Sequence, residues 1–307
     1  MKKYCYLLFL IISSVIYAND IYIEPVISYS NSLYSDFLYT EYGKLNSRLD
    51  YASSYQFKTG AFFGFDSDFF KINVSGIFFL PQKCGTFYDS DWKIQNLKTS
   101  FSIHDLYNNW GLNFRFDSEL KVPIREHFKL NSCFSFFYNF SSLSAKEGIA
   151  YKGTTYWTGL DHDVSWDSEY AVQKRVYGID YRNHILSILL GTDFSFDIKN
   201  NSFGLKAFVS PFSFFFAIDH HLGKEGGSYY QMIQKGFFSL YEFNAYYSYK
   251  ISDKIALDFA CDFLFTRNIP GDFYFGYYAV DHIIADETSS FMLSQFEIQT
   301  GVKFFVK

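Results

Sequence analysis

Long apolar segments are missing from this chain once its first residues are set aside. No segment after position 18 is apolar and free of charge over the roughly 20 residues that a membrane-spanning helix needs. The sequence therefore argues against a helical membrane protein.

Basic clusters and zinc-type cysteine patterns are also missing. The formal net charge is −5, and no run of Lys and Arg is present that would follow a phosphate backbone, so we expect no nucleic-acid partner.

The cysteines do not have a metal-binding pattern. Beyond residue 18 they are Cys84, Cys133 and Cys261, and no two have the spacing of zinc ligands. We expect no metal and no cofactor. An odd number of cysteines in an exported chain leaves at least one thiol free or bonded to another molecule.

The N-terminus has the pattern of a secretory signal peptide. A basic start at Met1-Lys2-Lys3 precedes an apolar run from Tyr4 to Val15, and a small residue follows at Ala18. The pattern predicts a signal peptide over residues 1–18 and a single domain over residues 19–307.

Aromatic residues are abundant and alternate with polar ones. The chain has 39 Phe and 27 Tyr, yet its mean hydropathy of −0.06 is close to neutral. In the clearest segment Ile255, Leu257, Phe259, Cys261, Phe263 and Phe265 alternate with Ala256, Asp258, Ala260, Asp262 and Leu264. A period of two with one apolar face is typical of membrane β-strands.

The alternation predicts ten strands with connections of two lengths. The predicted strands are 22–41, 46–65, 69–80, 99–120, 124–142, 172–195, 203–218, 229–250, 255–267 and 291–306. Short turns near 66–68, 121–123, 197–201 and 252–254 alternate with long polar loops at 81–98, 143–171, 219–228 and 268–290. This pattern indicates an all-β fold: a single ten-stranded antiparallel outer-membrane β-barrel that extends beyond the membrane on the extracellular side.

Two acidic motifs fall on the same predicted end of this barrel. Asp89 and Asp91 lie in the second external loop, and Asp219 and His221 start the fourth. Residues at i and i+2 of an extended chain point the same way, so each couple can face the other across the barrel mouth. A carboxylate beside an imidazole makes a base, and two carboxylates can hold a water. By chemistry alone, ordinary solvated loops are the more frequent explanation of such pairs.

These motifs resemble those of the omptin family of outer-membrane proteases, which are monomeric ten-stranded barrels. The resemblance rests on Asp89-Ser90-Asp91-Trp92 and Asp219-His220-His221, with support from Ser47–Tyr51 and from Thr300–Phe304. It implies that His221, held by Asp219, accepts a proton from water, and that Asp89 and Asp91 position that water. It also implies a monomer that cleaves polypeptide substrates, with its active site outside the cell, and contact with outer-membrane lipid, including a requirement for a glycolipid.

The chain departs from the family at the pocket for the substrate side chain. The acidic residue that the family places two positions before the dyad aspartate is Ala217 here. Asp36, in the predicted first-loop region, is the acid that could still contribute, so Asp36 and Ala217 are the candidate substrate-binding residues. Loss of one carboxylate puts a preference for Arg or Lys in doubt.

Other functions stay open from the sequence. A non-catalytic surface barrel acting as an adhesin or structural protein, or a small pore, would share the same strand pattern. Ser102 and His104 suggest a serine mechanism, but a satisfied polar pair on a strand is the better explanation. Asp281-His282 and Cys84 are expected to be a solvated pair and a bystander thiol.

Overall fold

A computed structural model describes residues 20–93, 96–125, 127–222, 228–277 and 283–306. The predicted signal peptide and Asp281-His282 lie outside these residues. Nearly all of the described chain is β-strand, and all of its strands belong to one antiparallel sheet. Within the described residues, no helix is long and apolar enough to cross a membrane.

Fourteen strands and one short helix make up the described structure. The strands are β1 (Asp20–Tyr39), β2 (Leu45–Asp66), β3 (Phe70–Phe79), β4 (Gln82–Asp91), β5 (Ser100–Arg125), β6 (Phe128–Lys152), β7 (Val172–Val176), β8 (Ile179–Ile198), β9 (Asn201–His221), β10 (Ser228–Gly236), β11 (Leu240–Ser252), β12 (Ile255–Thr266), β13 (Ile269–Tyr277) and β14 (Ile283–Val306). The helix α1 (Thr155–Thr158) lies between β6 and β7.

Several consecutive strands share neighbours in the sheet. Strands β3 and β4 both pair with β2 and with β5, and β10 and β11 both pair with β9. Likewise β12 and β13 both pair with β14, and β7 and β8 both pair with β6. The first strand also pairs with the last, with Ile27 opposite Thr300 and Asp36 opposite Phe291.

The two faces of the sheet have opposite character over most of its height. On β1 the inward Ser28, Ser30 and Ser32 are buried, whereas the outward Ile27 and Leu33 are exposed. Similar outward apolar side chains form a band around the sheet, including Phe57, Phe114, Leu186, Leu205, Phe243, Phe259 and Phe296. An apolar exterior around a polar interior is the reverse of a soluble protein and is typical of outer-membrane proteins.

Ion pairs and aromatic rings fill the interior. Lys58 on β2 bonds Glu297 on β14 at 2.6 Å, and Arg115 on β5 bonds Glu242 on β11 at 2.6 Å. The partners come from strands that are not neighbours in the sheet. Buried charges are tolerated where they are paired in this way.

Two of the predicted long loops, 81–98 and 268–290, are largely strand, and a third, 143–171, is strand over about its first third. The range 81–98 contains β4, the range 143–171 contains the end of β6, and the range 268–290 contains β13 and the start of β14. Asp89 and Asp91 therefore lie on a strand and not in a loop, and so do Asp219 and His221 at the end of β9; Asp36 lies on β1, within the predicted strand 22–41. The expected turn at 121–123 is also wrong, because β5 continues to Arg125. The predicted strands 172–195 and 229–250 are each interrupted, at 177–178 and 237–239.

Candidate active site

A cavity of about 580 Å³ opens beyond the apolar band, at the end of the sheet where β4 and β9 finish. Five of the six candidate site residues line it: Asp36, Asp89, Asp91, Asp219 and His221. These residues come from β1, β4 and β9, and β4 and β9 are separated by β5, β6 and β8 in the sheet. The structure thus brings together two couples that are far apart in sequence.

Asp219 and His221 form a hydrogen-bonded pair near the end of β9. His221 Nε2 lies 2.8 Å from Asp219 Oδ2, as expected for residues at i and i+2 on one face of a strand. The Asp219 side chain is only 1% exposed, whereas that of His221 is 19% exposed and faces the cavity. When Nε2–H donates to this carboxylate, Nδ1 is the ring nitrogen able to accept a proton. The His221 ring also packs edge-on against Tyr230 at 4.8 Å.

Asp89 and Asp91 are on the facing wall. Burial, and after it repulsion from Asp91, raise the pKa of Asp89 to about 7, although the charges of His221 and Lys152 oppose the rise. All four residues of the two couples line the same cavity, so the charges of the two couples act on each other. Asp89 Oδ1 and Asp219 Oδ1 are both buried and have no hydrogen-bond partner among the described residues. Buried polar atoms of this kind are suited to hold a water or a substrate group.

Asp36 lies beyond Leu33 on the same strand and is 2% exposed. Burial is the main cause that raises its pKa to about 7; the Tyr181 hydroxyl opposes the rise, and repulsion from Asp219 and Asp50 contributes to it. A third carboxyl group therefore lies close to the dyad. Ala217 is buried with its cross-strand partner Met232 in the apolar cluster beneath the dyad.

A layer of aromatic side chains lies beneath the cavity, two positions along the strands from the lining residues Leu49, Asp89 and Ile179. The Tyr51 and Tyr181 rings stack with centroids 4.0 Å apart, and Phe87 packs on Tyr51 at 4.7 Å. All three side chains are fully buried. They separate the cavity from the charged interior below it.

The secondary candidates are placed as expected. Ser102 Oγ lies 2.9 Å from His104 Nε2, and His104 Nδ1 bonds the Lys146 carbonyl oxygen at 2.6 Å, so the pair is satisfied. It nevertheless lines the same cavity. Cys84 is buried and free, as are Cys133, also buried, and Cys261, which is exposed. His220 points away from the cavity and stacks on Tyr229 at 4.3 Å.

Sequence reasoning missed the basic lining of the cavity. Lys152 at the end of β6 and Lys174 and Arg175 on β7 all line it. Ala150 and Lys152 are two residues apart on one strand, so extending the predicted strand past Ala150 would have predicted that both side chains point inward. Lys174 and Arg175 had no such signal, since β7 lies within a short and largely exposed segment.

The fold matches that of a known outer-membrane protease. The crystal structure of the outer-membrane protease OmpT from Escherichia coli, an omptin, overlays with a TM-score of 0.81 at 14% sequence identity, covering 94% of this chain and 97% of that chain. The chain has an omptin-like fold. At this identity the overlay establishes the fold alone.

More distant overlays also involve membrane proteins. The translocator domain of the autotransporter NalP from Neisseria meningitidis overlays at 7% identity with a TM-score of 0.40, covering 99% of this chain and 95% of that chain. Neisserial surface protein A overlays at 10% identity with a TM-score of 0.30, covering 92% and 96%. These scores are too low to add to the omptin-like assignment. No protein-family model and no curated protein sequence matches the chain.

Proposed function

We propose that the protein is an outer-membrane endopeptidase that hydrolyses polypeptides outside the cell. One observation carries the proposal: a hydrogen-bonded Asp219–His221 pair and the Asp89–Asp91 couple line opposite walls of a single cavity. An acid–imidazole pair facing a carboxylate couple is what attack by an activated water requires.

The membrane setting follows from the sheet. We infer that the fourteen strands form ten long strands of a closed barrel, because four consecutive pairs share neighbours and β1 pairs with β14. The outward apolar band fits the lipid, and the strand ends beyond it form the extracellular rim. Such a barrel functions as a monomer in contact with outer-membrane lipid, and a glycolipid requirement is part of the same proposal.

In the proposed reaction, His221 takes a proton from a water held between the two couples. Asp219 orients the imidazole and stabilises its charged form, and Asp89 and Asp91 position the water. The water oxygen bonds to the peptide carbonyl carbon and gives a tetrahedral intermediate. The C–N bond then breaks, and the proton on His221 passes to the leaving amine. No covalent intermediate with the protein is formed.

Asp36 is the proposed acid for a basic substrate side chain. It lies near Asp219, is buried, and lines the same cavity. A Lys or Arg entering from the mouth would find one carboxylate there. Ala217 contributes an apolar surface beneath the dyad and no charge.

A non-catalytic surface barrel is the second candidate. The near-complete burial of Asp219, at 1% exposed, favours it, because a buried carboxylate paired with His221 can serve the structure alone without contacting a substrate. A pore fits less well, since the Tyr51–Tyr181 stack and the Arg115–Glu242 pair cross the interior. An assay for peptide cleavage therefore distinguishes the endopeptidase from the non-catalytic surface barrel.

The test uses purified protein refolded in detergent with outer-membrane glycolipid, incubated with a peptide library and analysed by mass spectrometry. We expect defined cleavage products from the wild-type protein and none from Asp219→Asn. Binding of peptides without any product, under all lipid conditions, would support the non-catalytic barrel instead.

A further inference from the structure

We propose that the cavity selects substrates with an acidic side chain on one side of the cleaved bond, bound by Lys152, Lys174 and Arg175. This inference rests on the proposed function and names the substrate class for that same site. It follows from where the charged residues lie around the cavity mouth.

The two couples divide the mouth into two sectors. The first sector runs from β4 to β9 through β2, β1, β14, β13 and β10. The second sector runs from β4 to β9 the other way, through β5, β6, β7 and β8. A peptide whose reacting bond sits between the Asp89–Asp91 and Asp219–His221 couples must extend into both sectors. Its residues on either side of the bond therefore meet different walls.

The two sectors carry opposite charge. Asp36 on β1 and Glu287 on β14 line the first sector. Lys152 on β6 and Lys174 and Arg175 on β7 line the second. Among the described residues that line the cavity, the first sector holds no cation and the second holds no carboxylate. Lys93, directly beyond β4, stands at the boundary.

The second sector is equipped to hold an anion. Lys152 Nζ donates to Ser100 Oγ at 2.5 Å, and Lys174 Nζ lies 3.9 Å from the centroid of the Trp157 ring. Within the described part of the chain, no salt bridge joins Lys152, Lys174 or Arg175 to a carboxylate, and Lys152 is the one of the three whose charge acts on a carboxyl group of the site, that of Asp89. Three cations without a carboxylate on one wall concentrate positive potential in a partly enclosed cavity. A Glu or Asp side chain is the substrate group that this wall would pair with.

Ala217 is consistent with this division of charge. It adds no carboxylate near the dyad, so Asp36 is the acid that meets a substrate there, while the basic residues lie in the second sector. Selection by charge would thus depend on both sectors and require a substrate with unlike charges across the bond.

The experiment measures kcat/KM for fluorogenic peptides that differ only in having Glu, Gln or Lys at each position flanking one cleaved bond. We expect Glu to exceed Gln by roughly tenfold at positions on one side of the bond. The triple variant K152Q/K174Q/R175Q should remove that ratio, and K152E/K174E/R175E should favour Lys instead. Lys146→Gln is the matched control, because Lys146 is an exposed lysine on β6 whose ammonium lies over Tyr107, outside the cavity.

A binding measurement distinguishes a failure of the acidic selectivity from a failure of the proposed endopeptidase activity. Fluorescence anisotropy compares the same Glu and Gln peptides on folded His221→Ala protein. Cleavage with equal rates for Glu, Gln and Lys would overturn the acidic selectivity and leave the endopeptidase intact. Binding that favours Glu and requires the three basic residues, without cleavage by the wild-type protein, would retain the selectivity and refute the endopeptidase. Neither cleavage nor a charge preference in binding would refute both.

Discussion

Tyr51 on β2 and Tyr181 on β8 stack with their ring centroids 4.0 Å apart, although their strands are not neighbours in the sheet. The contact spans the interior directly beneath the carboxyl groups of the site. Both rings are fully buried. The stack thus connects β2 and β8 across the interior, just below the residues that line the cavity.

Removing one ring should loosen this link. Tyr181→Ala deletes a fully buried aromatic side chain, so we expect the free energy of unfolding to fall by about 3 kcal/mol. Tyr51→Phe is the control: it keeps the stack and removes a buried hydroxyl that has no hydrogen-bond partner among the described residues, so its unfolding free energy should be almost unchanged. Urea unfolding followed by tryptophan fluorescence measures both. Equal losses in the two variants would contradict the importance of the stack.

The buried carboxyl group of Asp36 should make stability depend on pH. Its pKa is raised by burial to about 7 in the folded protein and is near 3.8 when unfolded, so the folded state binds the proton more tightly. The contribution of the Asp36 carboxyl group to the free energy of unfolding is fully present below pH about 4 and is lost as the pH rises to about 7. The neutral Asp36→Asn variant should therefore lose less stability between pH 4 and pH 8 than the wild-type protein, by a few kcal/mol in urea unfolding.

Asp117→Asn provides the comparison for this pH series. Asp117 is ion-paired with Arg115 at 2.7 Å in the lower interior and is remote from Asp36. If Asp36→Asn and wild-type proteins show the same change in unfolding free energy from pH 4 to pH 8, the Asp36 carboxyl group is not protonated on folding.

The same ionisation should control the preference for a basic substrate side chain. Above pH about 7 Asp36 is charged and can pair with Lys, and below this pH it is neutral. We expect the ratio of kcat/KM for a Lys peptide over its norleucine analogue to rise roughly tenfold from pH 6 to pH 8.5. In Asp36→Asn the ratio should stay flat. A ratio that rises equally in the variant would place the selecting acid elsewhere.

Asp89 should matter for the rate and not for the fold. Asp89→Asn keeps the shape of the side chain but removes the charge that positions water, so we expect kcat to fall about 100-fold with little change in KM. Asp105→Asn is the control, since Asp105 lies on β5 and forms an exposed ion pair with Lys83 at 2.8 Å. Similar kinetics for both variants would remove Asp89 from the mechanism.

The sequence predicted the lower part of the sheet well because, in the proposed membrane setting, lipid imposes alternation there. Along β12, residues such as Phe259 and Phe263 must be apolar outside while their neighbours face a polar interior. Where strands extend past the apolar band, water bathes the outer face and this constraint disappears. The segments around Asp89 on β4 and Ser144 on β6 therefore looked like loops, although backbone pairing with β5 holds them in strands.

The acid couples of the site could be predicted, but their surroundings could not. Two short motifs with i, i+2 spacing made these residues recognisable in the sequence: Asp89 with Asp91, and Asp219 with His221. The partners that complete the cavity, such as Tyr230, Lys152 and Lys174, are single residues on other strands. Only the register of the sheet brings them together, and one sequence does not contain that information.

Two adjacent histidines provide the most direct test of the proposed mechanism. His221 bonds Asp219 and faces the cavity, whereas His220 stacks on Tyr229 on the outer face of the same strand. Peptide cleavage by His221→Ala and His220→Ala should be measured on proteins that both show the heat-modifiable migration of a folded barrel. We predict that His221→Ala loses activity by roughly 1,000-fold and that His220→Ala stays within about twofold of the wild-type rate. Full activity in His221→Ala, or an equal loss in both variants, would contradict the proposed mechanism.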